Sequence, residues 1–291
     1  VLDDGTLFKF DVDDFRICCQ ERNLPWLIDT SLGFDVEIIE ETEDIAGLSI
    51  QGPTSASVLI KAGYNLIEKL KPFEMIETQD KLLISRTGFT GDLGYEIFLP
   101  NKLAKITWDK IWKAGENLGI KAIGLNALNI ARIETGFIVA NSDFITGENA
   151  LRNNRIRNPD EIGMSWMVDM TKPYFNGKNA LKKIRDNNES KFVFAALEID
   201  GKEPADGAII YYNKKKEVGI ITGATWSPTA KKSIALASLK LPYGVEIQSN
   251  LWVEIYVLRE LEYYKMMKKV FIVKAPFVKL KRRNITPPLS K

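Results

Sequence analysis

Short runs of alternating apolar and polar residues, separated by turn residues, dominate the last hundred positions of the chain. This repeated alternation predicts a small β-barrel or β-sandwich after about residue 190. The strand candidates are 192–199, 208–212, 217–222, 233–239, 251–257 and 270–273. We therefore expect a core over residues 1–190, a barrel over 191–280 and a basic tail over 281–291.

Helical and strand-like patterns alternate in the first 190 residues, which predicts mixed α and β structure. An acidic turn at 11–14 separates two apolar runs and favours a β-hairpin. Further predicted strands are 34–39, 45–52, 81–85, 95–99 and 162–168, and predicted helices are 24–33, 53–63, 101–119 and 122–135. Pro53 and Asn101 stand at expected helix starts.

Two helices show an apolar face in the sequence. Trp108 and Ile111 share one face of the first, whereas Leu125 and Leu128 point inward on the second. Arg132 lies one turn after Leu128, near the buried edge of that face. A guanidinium there needs an anionic partner. Glu134 and an acidic ligand are equally good candidates for this partner of Arg132.

A glycine-rich segment at 85–98 is the most informative stretch. Gly88, Gly91 and Gly94 recur every three residues and precede a predicted strand, on which Glu96 faces away from Tyr95. A tight glycine turn lets a flat ligand approach the main chain, and a nearby carboxylate accepts hydrogen bonds from ligand N–H groups. A plain turn and strand with Glu96 in solvent is the alternative. A phosphate loop is not indicated, since no lysine–serine pair follows.

The composition excludes several classes of function. The 291 residues are 45% hydrophobic and 27% charged, with a net charge of +2, which gives no sign of a nucleic-acid or membrane surface. No apolar run approaches the roughly 20 residues that span a bilayer. We therefore expect a cytoplasmic protein, with neither nucleic acid nor membrane as partner, and interpret the basic residues after 278 as a solvated end.

The chain contains no histidine, which removes the usual general base and most zinc and haem sites. Its two cysteines, Cys18 and Cys19, are adjacent. A disulfide between neighbours is strained, and two ligands do not hold a structural metal. We predict no metal site. Any chemistry must rest on carboxylates, amines, backbone groups and the substrate.

Seven motifs in this order and spacing resemble the glycine cleavage T-protein (aminomethyltransferase) superfamily. They are Asp3-Asp4, Ile50-Gln51-Gly52-Pro53, Arg86 to Gly91, Gly94-Tyr95-Glu96-Ile97, Arg132 to Gly136, Phe175 to Leu181 and Trp226 to Ala237. The resemblance covers residues 1 to about 278. It implies an α+β, multi-domain cloverleaf: two interleaved α/β N-terminal domains and a C-terminal β-barrel around a tetrahydrofolate channel. Family members begin well upstream of the Asp-Asp turn, so we expect a first segment to be missing here.

The resemblance also implies site residues. Asp4 matches the carboxylate that the family places near N5 of the folate and is the catalytic candidate. Glu96 matches the glutamate that grips the pterin. Asp3, Tyr95 and Arg132 are weaker candidates for cofactor binding. One departure from the family is Leu128, which stands where T-proteins carry an arginine.

The implied function is tetrahydrofolate-dependent transfer of an aminomethyl or methyl group to N5 of the folate. The implied donor is an amine of the glycine-cleavage type, and the implied partner that carries it is a lipoyl carrier protein. Leu128 favours instead relatives that demethylate an O- or S-methyl compound. A folate-binding protein without transferase activity is a further alternative, although its Lys-Gly-Cys-Tyr signature is absent. The last alternative is a folded fragment that is inactive because its first segment is missing.

Overall fold

The computed structural model describes residues 1–245 and 250–285. These residues divide into two units. The first unit comprises Val1–Arg22 and Gly136–Val278, and the second comprises Asn23–Thr135 and the chain from Lys279 onwards. Within the described residues, no helix is long and apolar enough to cross a membrane.

The first unit begins with the predicted β-hairpin. Strands β1 (Gly5–Lys9) and β2 (Phe15–Cys19) pair antiparallel, with Gly5 opposite Cys19. A Cβ on Gly5 would lie 2.4 Å from the carbonyl oxygen of Cys18, so the close approach of the strands requires glycine.

Six strands in the first unit form the closed barrel that the sequence predicts. Its strands are β7 (Phe192–Ile199), β8 (Ile209–Tyr212), β9 (Lys216–Ser227), β10 (Lys232–Lys240), β11 (Leu251–Arg259) and β12 (Glu262–Val273). They close in the order β10-β7-β12-β11-β8-β9. Inward-facing aliphatic side chains such as Leu197, Val218 and Val253 fill the barrel. Because alternate residues of a strand face opposite sides, this interior follows from the alternation in sequence.

The second unit contains a four-stranded antiparallel sheet in the order β3-β6-β5-β4. The strands are β3 (Ile45–Gln51), β4 (Met75–Glu77), β5 (Leu83–Ser85) and β6 (Gly94–Pro100). Helices α1 (Leu24–Ser31), α2 (Ser55–Lys61), α3 (Ala104–Gly115) and α4 (Leu125–Thr135) belong to the same unit. The core gathers side chains from the sheet, α2 and α3, with Leu59, Ile84 and Ile97 fully buried.

Two predicted strands are wrong. Residues 34–39 have no regular structure, and most of their apolar side chains are exposed, including Phe34 and Ile39. Residues 162–168 form turns and one 3-10 turn, Ser165–Met167, before helix α5 (Lys178–Asp186). An alternating pattern makes a strand only where a neighbouring strand accepts its hydrogen bonds.

Several details of the helices also differ from the predictions. Helix α2 starts at Ser55, two residues after Pro53, and the Asn101 side chain donates to the carbonyl of Glu43 instead of capping α3. Trp108 is about half exposed, and Leu125 is 83% exposed although it was expected inward. The buried side chains of α4 are Arg132, Ile133 and Thr135, which lie toward its C-terminal end, so burial falls later along the helix than predicted.

The composition of the basic segment after residue 278 suggested a solvated end, but part of this segment contacts the rest of the second unit. Lys281–Arg283 form a 3-10 turn, and Arg282 makes an ion pair with Asp92. Residues 286–291 of the predicted tail lie outside the described part of the chain.

Candidate functional site

The Asp-Asp turn lies at the start of the first unit, just before β1. Asp3 uses both carboxylate oxygens within the turn: Oδ1 accepts from the backbone N–H of Asp4, and Oδ2 from that of Glu21, each at 2.8 Å. Asp3 therefore ties the start of β1 to the residues after β2. The Oδ1 contact fixes the backbone of its neighbour Asp4.

Asp4 is half-buried and has a perturbed acidity. Burial raises the pKa of the Asp4 carboxyl above its ordinary value, and the negative charge of Asp3 raises it further, against a smaller lowering by the Gly5 N–H. Both main causes disfavour the ionised form. A carboxylate of this kind holds a proton more readily than a solvated aspartate does.

In the second unit, the glycine-rich segment predicted from sequence connects β5 to β6. We call residues 86–94 the glycine loop. The side-chain amide of Gln51, at the end of β3, lies against it and makes four hydrogen bonds. Its Nε2 donates to Ser49 Oγ at 3.0 Å and to the carbonyls of Thr87 and Tyr95 at 3.3 Å each, and its Oε1 accepts from Thr90 Oγ1 at 3.1 Å.

The glycines of the loop are explained by these neighbours. A Cβ on Gly88 would lie 2.1 Å from Gln51 Oε1, and one on Gly94 would lie 1.9 Å from the same atom. Gly91 has φ +72°, and its Cβ would come 2.0 Å from Thr135 Oγ1. The glycine spacing thus makes room for two side chains of the protein. The approach of a flat ligand to this loop, inferred from the sequence, stays a prediction.

Glu96 lies in the middle of β6, half-buried, on the face opposite Tyr95 as predicted. Its Oε2 accepts a short hydrogen bond from Thr87 Oγ1, and the hydroxyls of Thr87 and Ser85 are 2.7 Å apart. Within the described residues, Glu96 Oε1 accepts no hydrogen bond. Glu96 is therefore a half-buried carboxylate that is fixed to the glycine loop through Oε2.

Tyr95 and Arg132 lie in buried surroundings. The Tyr95 ring is fully buried in the core of the second unit, and its hydroxyl has no hydrogen-bond partner among the described residues. Burial raises the pKa of the Tyr95 phenol, with Arg86 acting in the opposite direction. Arg132 is 3% exposed, and its Nε donates to Asn129 Oδ1 at 2.8 Å.

The structure places Asp3 and Asp4 in the first unit, and Glu96, Tyr95 and Arg132 in the second. The Asp3 carboxylate accepts a hydrogen bond from the Asp4 backbone. Tyr95 and Glu96, in contrast, point to opposite faces of β6. Sequence reasoning missed the contacts of Gln51, Thr87 and Asp92. The available signal was a polar residue ending an apolar strand directly before Gly52. Among the described residues, no group of histidine, cysteine or acidic side chains has the arrangement of a metal site.

A unit of helices on an antiparallel sheet and a six-stranded barrel occur together in a known family of folds. The chain belongs to the glycine cleavage T-protein family: residues 1–172 match the GCVT N-terminal domain, and residues 192–279 match the glycine cleavage T-protein C-terminal barrel domain. The recognition made from the seven motifs is thereby confirmed.

Individual relatives agree with the family assignment. The chain is 30% identical to an aminomethyltransferase of Thermoanaerobacter pseudethanolicus over 84% of its own length and 66% of the relative, and 30% identical to one of Chlorobaculum tepidum over 84% and 67%. The chain thus spans about two thirds of the length of these curated relatives. A crystal structure of glycine cleavage system aminomethyltransferase T from Bartonella henselae superposes with a TM-score of 0.80 at 23% identity, covering 96% of this chain and 73% of that one. It supports the fold.

Proposed function

We propose that this chain is a tetrahydrofolate-dependent one-carbon transferase. It passes the carbon of an aminomethyl group from an amine donor to N5 of tetrahydrofolate, and the nitrogen of that group leaves as ammonia. The family assignment and the similarity to aminomethyltransferases support the class of reaction. The observation that carries the assignment to this chain is Glu96, a half-buried carboxylate held by Thr87. The pterin ring carries N–H donors, and an ionised carboxylate is a strong acceptor for them.

Tetrahydrofolate supplies the nucleophile when it is bound, namely its N5 nitrogen. The protein therefore needs no nucleophilic serine or cysteine, and the absence of histidine is no obstacle. Attack by N5 develops positive charge there, and an ionised Asp4 stabilises it. Asp3 keeps Asp4 oriented through the backbone and raises its pKa, which makes Asp4 a better acceptor for a proton released in the transfer. A lipoyl carrier protein is the proposed source of the aminomethyl group.

The experiment is calorimetric titration of the chain with tetrahydrofolate, compared between the unaltered protein and Glu96→Ala. Loss of a charge-assisted hydrogen bond costs about 1.5–3 kcal/mol, so the dissociation constant should rise about tenfold to a hundredfold. Glu77→Ala is the matched control, because Glu77 is an exposed glutamate on β4 of the same sheet. Absence of saturable binding by the folded, unaltered chain would refute the proposed function. Equal affinities of the two variants would remove Glu96 from the site.

Demethylation of a small O- or S-methyl compound is a second candidate, favoured by one observation. Leu128 lies one helical turn before Arg132 on α4, and the resemblance to T-proteins implies an arginine at that position. Loss of a cation changes which donor groups the protein can hold. Turnover with methylated ethers or thioethers, but not with an aminomethyl-lipoyl carrier, would select this candidate over the first.

A further inference from the structure

The chain returns to the second unit after the barrel. We call residues 279–285 the C-terminal strap. They follow the last barrel strand, belong to the second unit and include the 3-10 turn Lys281–Arg283. Their partners lie about 190 residues earlier, at the two ends of the glycine loop.

The far end of the loop is fixed by an ion pair. Arg282 Nε donates to Asp92 Oδ1 at 2.5 Å, and Nη2 donates to Oδ2 at 2.6 Å. Asp92 Oδ1 also accepts the N–H of Leu93 at 2.6 Å. Two parallel bonds between a guanidinium and a carboxylate fix orientation as well as distance. Asp92 is thus held in one direction by the strap and in another by the loop itself.

The near end of the loop is fixed by a buried guanidinium. Arg86 is 4% exposed, and its Nη1 donates to the carbonyl of Leu70 at 2.6 Å. Its Nη2 donates to two strap carbonyls, those of Arg283 at 3.2 Å and Ile285 at 2.5 Å. Its Nε has no partner among the described residues. Two of the three acceptors for this buried charge therefore come from the strap, and an unpaired buried charge is costly.

We propose that the C-terminal strap is a positioning element for the glycine loop. By holding Arg86 and Asp92, it keeps Thr87, which lies between them, in place to donate to Glu96. The strap acts through the loop and touches no reacting atom. Its effect on ligand affinity rests on the proposed function, whereas its effect on the loop does not.

The test compares two variants of the full chain that remove one positive charge each from the same turn. Arg282→Gln breaks the bonds to Asp92, and Lys281→Gln is the control because Lys281 is exposed. Hydrogen exchange of the ligand-free protein is followed by mass spectrometry for the peptide 86–94. We expect exchange in Arg282→Gln to be about tenfold faster, the factor that corresponds to about 1.4 kcal/mol of lost stabilisation. Barrel strands serve as the internal reference.

The same proteins are then titrated with tetrahydrofolate, where we expect the dissociation constant of Arg282→Gln to rise about tenfold and that of Lys281→Gln to stay unchanged. Equal exchange of the loop in the two variants would overturn the proposal. A looser loop with unaltered folate affinity would also overturn it, since the strap would then position nothing that the ligand uses. If the unaltered chain binds no tetrahydrofolate, the proposed function fails, and the exchange data alone decide the effect of the strap on the loop.

Discussion

Replacing Gly94 by alanine tests whether the glycine loop is shaped by Gln51. The new Cβ would lie 1.9 Å from Gln51 Oε1, and the three nearest atoms all belong to the Gln51 amide. The amide must therefore move, and its four hydrogen bonds are lost or weakened. Three of them are 3.1–3.3 Å long, so each is worth about 0.5 kcal/mol, the low end of the usual range. We expect Gly94→Ala to destabilise the sheet by about 2 kcal/mol.

The assay is native-state hydrogen exchange of amides in β3 and β6, which reports the free energy of opening of this sheet. Gln51→Ala removes the same four bonds and also the obstacle. The double variant, Gln51→Ala with Gly94→Ala, should therefore lower the free energy of opening by about 2 kcal/mol. Independent effects would instead add to about 4 kcal/mol. Gly47→Ala is the matched control: Gly47 lies on β3, its Cβ would meet nothing closer than 4.0 Å, and a strand alanine is mildly favourable. Equal effects of Gly94→Ala and Gly47→Ala, or simple additivity with Gln51→Ala, would refute the reasoning.

Other expected outcomes concern the Asp3-Asp4 turn and the carboxylate of Glu96. Folding raises the pKa of Asp4 above its unfolded value of 3.8. Its contribution to the free energy of unfolding is therefore fully present below pH 3.8 and is lost as pH rises through the folded pKa. Asp4→Asn should therefore raise the melting temperature relative to the unaltered protein at pH 7 but not at pH 3; an equal difference at both would contradict this. The same variant should lose turnover while retaining tetrahydrofolate binding, and preserved turnover in a one-carbon transfer assay would eliminate the role of Asp4. Asp3→Asn converts an acceptor of a backbone N–H into a donor, so denaturant unfolding should show a loss of about 1 kcal/mol, with Asp11→Asn in the hairpin turn as control. Thr87→Val should weaken tetrahydrofolate binding by less than Glu96→Ala, since it frees the carboxylate without removing it; a larger effect would mean that Thr87 contacts the ligand.

Local patterns in the sequence determined much of the fold. The barrel strands, the hairpin and the opposite orientation of Glu96 and Tyr95 all follow from the period of two along a strand. The seven ordered motifs determined the family, because each motif has a fixed residue type at a fixed spacing. The candidate residues Asp4 and Glu96 came from that comparison, and their roles remain predictions.

Only the tertiary structure decided which side chains meet across long separations. Residues 34–39 alternate like a strand, yet have no regular structure, and Leu125 is exposed although its helix predicted it inward. The need for glycine at positions 88 and 94 depends on a side chain about 40 residues earlier, and Asp92 finds its partner about 190 residues later. The physical reason is that periodicity records which face of an element is apolar, whereas such pairings depend on the path of the whole chain. The sequence by itself therefore determined the elements and the family, and the folded chain decided what fixes the loop beside Glu96.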